Sequence, residues 1–259
     1  MTGCAGGETP ERSPVATGLR VDQLAALGVT AFTTTRAAGS LGLASSEPVS
    51  AVMDRWSRLL ADCRALGAPA LVSAGQVHGA AVTVHAGGWT GWLRGREVDG
   101  HVTGAAGIAL AVTIADCTPV FLAHPGGAIG VLHAGWRGTA AGMLGAGLAA
   151  MARLGTPADE VHVHLGPAIC GGCYEVGPEV LTAVTGRPAS ARGLLDVRAV
   201  LAEQAARAGV RAVSTSGWCT RCHADRLFSH RGGDAGRQVA VILRAASDAQ
   251  SGGATVALS

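Results

Sequence analysis

The chain has 259 residues, enough for one large domain or two small ones with a substantial core. Its 48% hydrophobic and 15% charged residues exclude a disordered chain. A formal charge of +2, scattered arginines and 3% aromatics exclude a nucleic-acid or base-stacking surface.

Residues 1–17 lack the apolar stretch of a signal peptide and are expected to be a disordered tail. The β-branched run Val29 to Thr35 predicts a strand ending at Arg36, and Ala37 to Pro48 a loop. Val52, Trp56, Leu59, Leu60 and Cys63 recur at helical spacing, with Gly67 as the stop. Leu71 to Ala74 starts a strand leading to Gln76 and His78, and Ala81 to Val84 is extended. Gly87 to Gly100 is expected to be loop, with Trp89 and Trp92 forming a small satellite core.

Two apolar runs follow. Ile108 to Ala115 delivers Asp116 and Cys117, and Ala128 to Leu132 delivers His133. A helix is predicted over 139–154, stopped by Gly155 and Pro157. Val161 to Leu165 alternates as a strand, with His162 and His164 on one face as surface residues. Helices near 177–185 and 196–208, a strand at 210–214 and a buried strand at 238–243 complete the chain. The pattern fits one mixed α/β domain over 18–250 with a large sheet, followed by a tail at 251–259. No run of about 18 strongly apolar residues predicts a membrane span, and seven cysteines without an export signal predict reduced thiols in a cytoplasmic setting.

Side chains at strand ends are held by a rigid scaffold, as a site needs. His78, Cys117 and His133 suit a three-ligand metal site with an open fourth position, for zinc or, with the same ligands, copper. No short ligand spacing is present, and a buried thiol with two satisfied histidines is the competing reading. Asp116 suits a general acid/base, a residue that orients the ligands, or a turn cap. Gly135 to Gly138 brackets a helix start where backbone N–H groups and Arg137 can bind an anion, unless Arg137 pairs with a carboxylate. Arg36 lies at another strand end. Cys219 to His223 matches a haem-attachment pattern, but no export signal accompanies it. Cys170 and Cys173 with Cys219 and Cys222 can form a four-cysteine zinc site or disulfides, though the intervening span exceeds usual zinc-ribbon spacings.

From Phe32 to Ile242 the chain resembles the YfiH family of laccase-domain proteins. The motifs are Gln76 to Gly79, Val98 to Gly100, Ala115 to Val120, His133 to Gly138, Gly166 to Ile169 and Cys173 to Gly177. The resemblance implies a single-domain α/β (α+β) sandwich, similar to the cytotoxic-necrotizing-factor catalytic domain. It implies metal ligation by His78, Cys117 and His133, with zinc as the cofactor. Catalysis then falls to Asp116, Cys117 and Arg137, and substrate contacts to Arg36, Gln76, Gly135 and Arg137. The implied activities are phosphorolysis of adenosine, inosine, guanosine and methylthioadenosine, and deamination of adenosine. The implied partners are these nucleosides and phosphate, with neither nucleic acid nor membrane, in a monomer or small homo-oligomer. The chain departs from the family at Ser40-Leu41-Gly42 and at Ser229-His230-Arg231-Gly232. Three other functions stay open: a copper-dependent polyphenol oxidase, a Cys117–His133 hydrolase of amides or cell-wall precursors, and a non-catalytic metal-binding protein.

Overall fold

Period-two alternation in the apolar strands builds the architecture, because each strand presents one row of side chains to each of two layers. The computed structural model describes residues 13–44 and 46–246. The chain enters through β1 (Leu19–Arg20) and β2 (Thr30–Thr33), crosses α1 (Val49–Ala65) and continues in β3 (Ala70–Gly75). It then runs through β4 (Val82–His85), β5 (Gly91–Arg96), β6 (Gly100–Thr103), β7 (Ile108–Ile114), β8 (Thr118–Ala123) and β9 (Ile129–Ala134). Helices α2 (Trp136–Ala140) and α3 (Met143–Ala152) follow, then β10 (His162–Leu165). The rest is β11 (Glu175–Val176), α4 (Pro178–Thr185), β12 (Gly193–Leu194), α5 (Val197–Arg207), β13 (Ala212–Thr215) and β14 (Gln238–Arg244).

Twelve strands form two six-stranded mixed sheets, ordered β1-β2-β14-β7-β3-β5 and β13-β10-β8-β9-β6-β4, and β11 pairs with β12 in a small third sheet. Leu110, Val112, Ile114 and Ile242 of the first sheet pack against Phe121, Ala123, Ile129 and Val131 of the second. On the outer face of the first sheet, Ala109, Ala111 and Val241 meet Trp56 and Leu59 of α1. On the outer face of the second, Val120, Leu122 and Leu132 meet Leu144, Leu148 and Leu201 of α3 and α5. The result is an α-β-β-α sandwich in one domain, as the resemblance implied. The single large sheet read from the element pattern is instead two.

Other readings are corrected. The segment expected to be loop contains β5, which extends the first sheet by parallel pairing with β3; its two glycines and two arginines hide the strand pattern. Trp92 of β5 stacks on Trp56 at 4.4 Å and 10°, so it belongs to the α1 layer rather than to a satellite core. The helix predicted over 139–154 is two helices. Gly142 breaks it at φ 82°, and of the two halves only α3 lays an apolar side on the second sheet. His164 is buried, with its Nδ1 2.8 Å from Ser214 Oγ, and is not a surface residue. Residues 13–17 fold against α1, where Ser13 Oγ donates to Asp62 Oδ2 at 2.7 Å, so order begins ahead of position 18. The rest of the N-terminal tail and the tail at 251–259 lie outside the described residues. Among the described residues, no helix is long and apolar enough to cross a membrane.

Three connections pass from the first sheet to the second: β3 to β4, β5 to β6 and β7 to β8. Each contains one non-glycine residue at positive φ, namely His78 at 60°, Glu97 at 53° and Asp116 at 82°. These are the only such residues among those described. Strained backbone of this kind persists where surrounding structure over-determines it, and it concentrates at functional sites. The same crossovers carry Gln76, His78, Asp99, Asp116 and Cys117.

Candidate metal centre and active site

Asp99, just ahead of β6, organises the site from behind. Its carboxylate is fully buried and accepts backbone N–H bonds from Val77 at 3.1 Å, His78 at 2.9 Å and Gly79 at 2.9 Å. These three bonds hold the β3–β4 crossover in the turn that gives His78 its positive φ. The same carboxylate takes the Nδ1 proton of His133 at 2.8 Å. Burial pushes the Asp99 carboxyl up, but the bonds from His133, Gly79 and Val77 outweigh it and hold it below the usual carboxylate range. With Nδ1 committed, Nε2 is the His133 nitrogen left for a ligand.

Cys117 follows the β7 strand end and His133 is the penultimate residue of β9. The ligand atoms of His78, Cys117 and His133 lie within 4.8 Å of one another. The three differ in exposure: His133 is buried, Cys117 half-buried and His78 exposed. Burial alone raises the Cys117 thiol, yet the charge of His133 and hydrogen bonds from His133 and His78 bring it to about 6. Burial lowers His133, and the Cys117 thiolate with the Asp99 bond brings it to about 9. The site therefore favours a thiolate, the form that ligates metal. Two imidazoles and one thiolate, with His78 open to solvent, fit a zinc ion with a free fourth position.

Gly135 is required by this convergence. A Cβ at that position would lie 2.7 Å from Cys117 Sγ and 3.5 Å from His78 Cδ2. The following helix, α2, has only five residues, so the anion-binding helix start expected from Gly135 to Gly138 reduces to Arg137. The Arg137 side chain is exposed and lies 4.4 Å from the centroid of the Trp136 ring. Among the described residues no carboxylate lies within 4.0 Å of it, so the competing ion pair is absent.

These groups open onto a cavity of about 640 Å³, within the range of small-molecule sites. Arg94, Arg137, Arg231 and Arg237 line it, and among the described residues Asp116 is the only acidic one that does so. Gly42, His230 and Arg231 contribute to the lining, so both segments where the chain departs from the family pattern reach the pocket.

Three other predicted residues have structural commitments. Asp116 Oδ1 accepts from Thr220 Oγ1 at 2.5 Å and Ser229 Oγ at 2.8 Å, and Oδ2 from the Arg231 amide at 2.6 Å. Its carboxylate ties the 220–231 segment to the crossover beside Cys117. Gln76 lines the cavity, but its amide bridges β3 to β7: Nε2 donates to Thr113 O, and Oε1 accepts from Thr113 N and Oγ1, each at 2.8 Å. Arg36 does not line the cavity. It pairs with Asp234, donates to Leu227 O at 3.0 Å and lies over the Phe228 ring, which corrects its expected place among the substrate contacts. Sequence reasoning passed over Asp99 although it noted the Val98 to Gly100 motif; a carboxylate flanked by a strand-opening glycine was the available signal.

A purine nucleoside phosphorylase of Streptomyces griseus is 40% identical over 60% of this chain and 66% of its own length. One of Corynebacterium glutamicum is 32% identical over 81% of this chain and 92% of its own length. An adenosine deaminase from an unknown prokaryotic organism is 36% identical over 57% of this chain and 62% of its own length. The chain thus matches less than two thirds of the deaminase and just under that share of the S. griseus protein. The crystal structure of a Neisseria meningitidis protein superposes with a TM-score of 0.77 at 28% identity, over 89% of this chain and all of that one. The structure of YlmD from Geobacillus stearothermophilus gives 0.76 at 29%, over 85% and 93%. That of Bacillus licheniformis YfiH gives 0.78 at 24%, over 91% and 99%, a likeness of fold. Residues 28–245 match the family described as multi-copper polyphenol oxidoreductase laccase, and with these neighbours the chain belongs to that laccase-domain family, the YfiH family.

Proposed function

We propose that this protein is a zinc-dependent purine nucleoside phosphorylase that also deaminates adenosine. One observation carries the reading: a His78–Cys117–His133 ligand set opens onto a cavity lined by four arginines and one carboxylate. Relatives named purine nucleoside phosphorylase and adenosine deaminase support it.

Zinc held by His78, Cys117 and His133 would supply a Lewis acid and a water activated near neutral pH. The protein's own groups supply the rest. Arg137, without a carboxylate partner among the described residues, holds phosphate as a nucleophile, assisted by the other cavity arginines. In phosphorolysis an oxygen of hydrogen phosphate bonds to the anomeric carbon, the bond to the purine nitrogen breaks, and the purine leaves carrying the proton that the phosphate gives up. The phosphate charge stabilises the cationic sugar that develops between these events. Asp116, with both oxygens bonded, positions Cys117 and the 229–231 rim; proton transfer by it would require one of those bonds to open. Asp99 keeps His133 in the tautomer that offers Nε2.

Incubation of adenosine with and without phosphate tests the reading. The expected result is adenine and a pentose phosphate only when phosphate is present, inosine and ammonia in both cases, and loss of all products in His78→Ala. Zinc-loaded protein that leaves every nucleoside intact would refute it.

The Cys117, His133 and Asp99 arrangement also favours a second reading, a thiol hydrolase. A lowered thiol, a raised imidazole and a carboxylate on its far nitrogen are the relationship a cysteine nucleophile requires. The two readings part when metal is stripped: amide hydrolysis that survives a chelator and is lost to a thiol alkylating reagent belongs to the hydrolase. The multi-copper description has less support, because only two candidate metal-holding groups occur among the described residues, and only one contains histidine.

A further inference from the structure

Beyond the His78–Cys117–His133 centre, a second cluster has the composition of a metal site. The Sγ atoms of Cys170, Cys173, Cys219 and Cys222 lie within 4.8 Å of one another, and all four are free thiols. The long sequence gap between the two pairs is closed by topology. β10 and β13 are parallel neighbours with Leu165 opposite Thr215, so the loops that follow them leave the same sheet edge side by side. Thr220 N donates to Ala168 O at 3.2 Å and Ala168 N to Trp218 O at 3.4 Å, which aligns the two Cys-x-x-Cys segments.

We propose that these four cysteines form a structural tetrathiolate zinc site, separate from the catalytic centre. Three observations support it. In a tetrahedral site with Zn–S of about 2.3 Å the sulfurs lie roughly 3.8 Å apart, and here all four are mutually close. Two disulfides would need only two short distances. The Cys219 sulfur accepts backbone N–H bonds from Cys170 at 3.3 Å and Cys222 at 3.4 Å. Such donors favour the thiolate that a metal needs. Arg221 Nη1 donates to Cys173 O at 3.5 Å, placing a cation beside a site that would carry net negative charge.

The position gives the site a purpose. Thr220, between Cys219 and Cys222, is one of the donors to Asp116, and Ile169 N donates to Asp116 O at 3.1 Å. Ile169 and Tyr174 line the cavity immediately on either side of the Cys170–Cys173 segment. A metal joining the loops would fix this wall of the cavity. Each thiol that ligates releases its proton to solvent, and no bond is oxidised or reduced.

Metal counting on full-length protein, purified in a phosphine reductant without chelator, tests the site. The expected contents are two zinc ions per chain in the wild type, one in Cys173→Ser/Cys222→Ser, one in His78→Ala and none in the combined variant. Cobalt added to His78→Ala, where all four cysteines remain, should give the intense thiolate charge-transfer and visible bands of a tetrahedral all-sulfur site. That spectrum decides the matter if the cysteine variants fail to fold. Zinc content unchanged in Cys173→Ser/Cys222→Ser, or absence of the cobalt bands, would each overturn the proposal.

Discussion

The Asp99 carboxylate holds His133 by Nδ1 at 2.8 Å and at the same time accepts the amides of residues 77–79. One buried group thus orients one candidate ligand ring and shapes the backbone that presents another, His78. Asp99→Asn keeps the volume but replaces one acceptor oxygen with a donor and removes the charge. Zinc affinity should fall about 10–100-fold, as for other carboxylates behind a ligating histidine. Competition against a chromophoric chelator measures this, and affinity equal to wild type would remove Asp99 from the centre.

Gly135→Ala should abolish metal binding at the His78–Cys117–His133 centre without unfolding the protein. The added methyl lies 2.7 Å from Cys117 Sγ, so the thiol must leave its place among the three ligands. Overpacking of this kind costs about 1–3 kcal/mol, less than the stability of a typical domain. Zinc content and a thermal melt on the same sample separate the two effects. A variant that melts near wild type and retains full catalytic zinc would show that the crowding is relieved elsewhere.

What the sequence revealed and what it hid follow physical lines. His78, Cys117 and His133 were legible because each ends or follows an apolar run, and a strand end fixes where a side chain goes. Asp99 was not singled out: its role depends on four donors from distant segments, none visible in a three-residue motif. β5 was hidden because Gly91, Gly95, Arg94 and Arg96 erase its alternation, and parallel pairing with β3 supplies what local pattern does not. The four cysteines were ambiguous because ligand-spacing rules describe local loops, whereas a parallel strand pair here brings two remote loops together. Arg36 was misplaced because a strand end alone does not reveal that Asp234 waits for its guanidinium.

Acid should destabilise the fold through buried neutral histidines. Burial pushes His164 down to about 4, and burial with the nearby His85 pushes His101 to about 3. Between pH 6.5 and 4 the unfolded chain binds protons that the native state refuses, so stability falls as pH falls through this window. Each such histidine contributes a slope of about 1.4 kcal/mol per pH unit. Urea midpoints at several pH values measure the total. His164→Gln, which can keep a bond to Ser214 but cannot protonate, should flatten the slope by about one histidine's share. An unaltered slope would mean that His164 protonates in the native state without cost.

Arg137 offers a way to divide the two proposed reactions. Phosphorolysis brings an anion into the cavity and deamination does not, so a residue that holds phosphate should matter to one and not the other. Arg137→Gln removes the charge while keeping a polar side chain of similar reach. A charged hydrogen bond contributes about 1.5–3 kcal/mol, so kcat/KM for phosphate should fall roughly 10–150-fold. Inosine formation from adenosine without phosphate should stay within a few-fold of wild type by the same accounting, because water alone attacks there. Equal losses in both reactions would place Arg137 on the nucleoside, and phosphate binding would then pass to Arg94, Arg231 and Arg237, the remaining cations of the cavity.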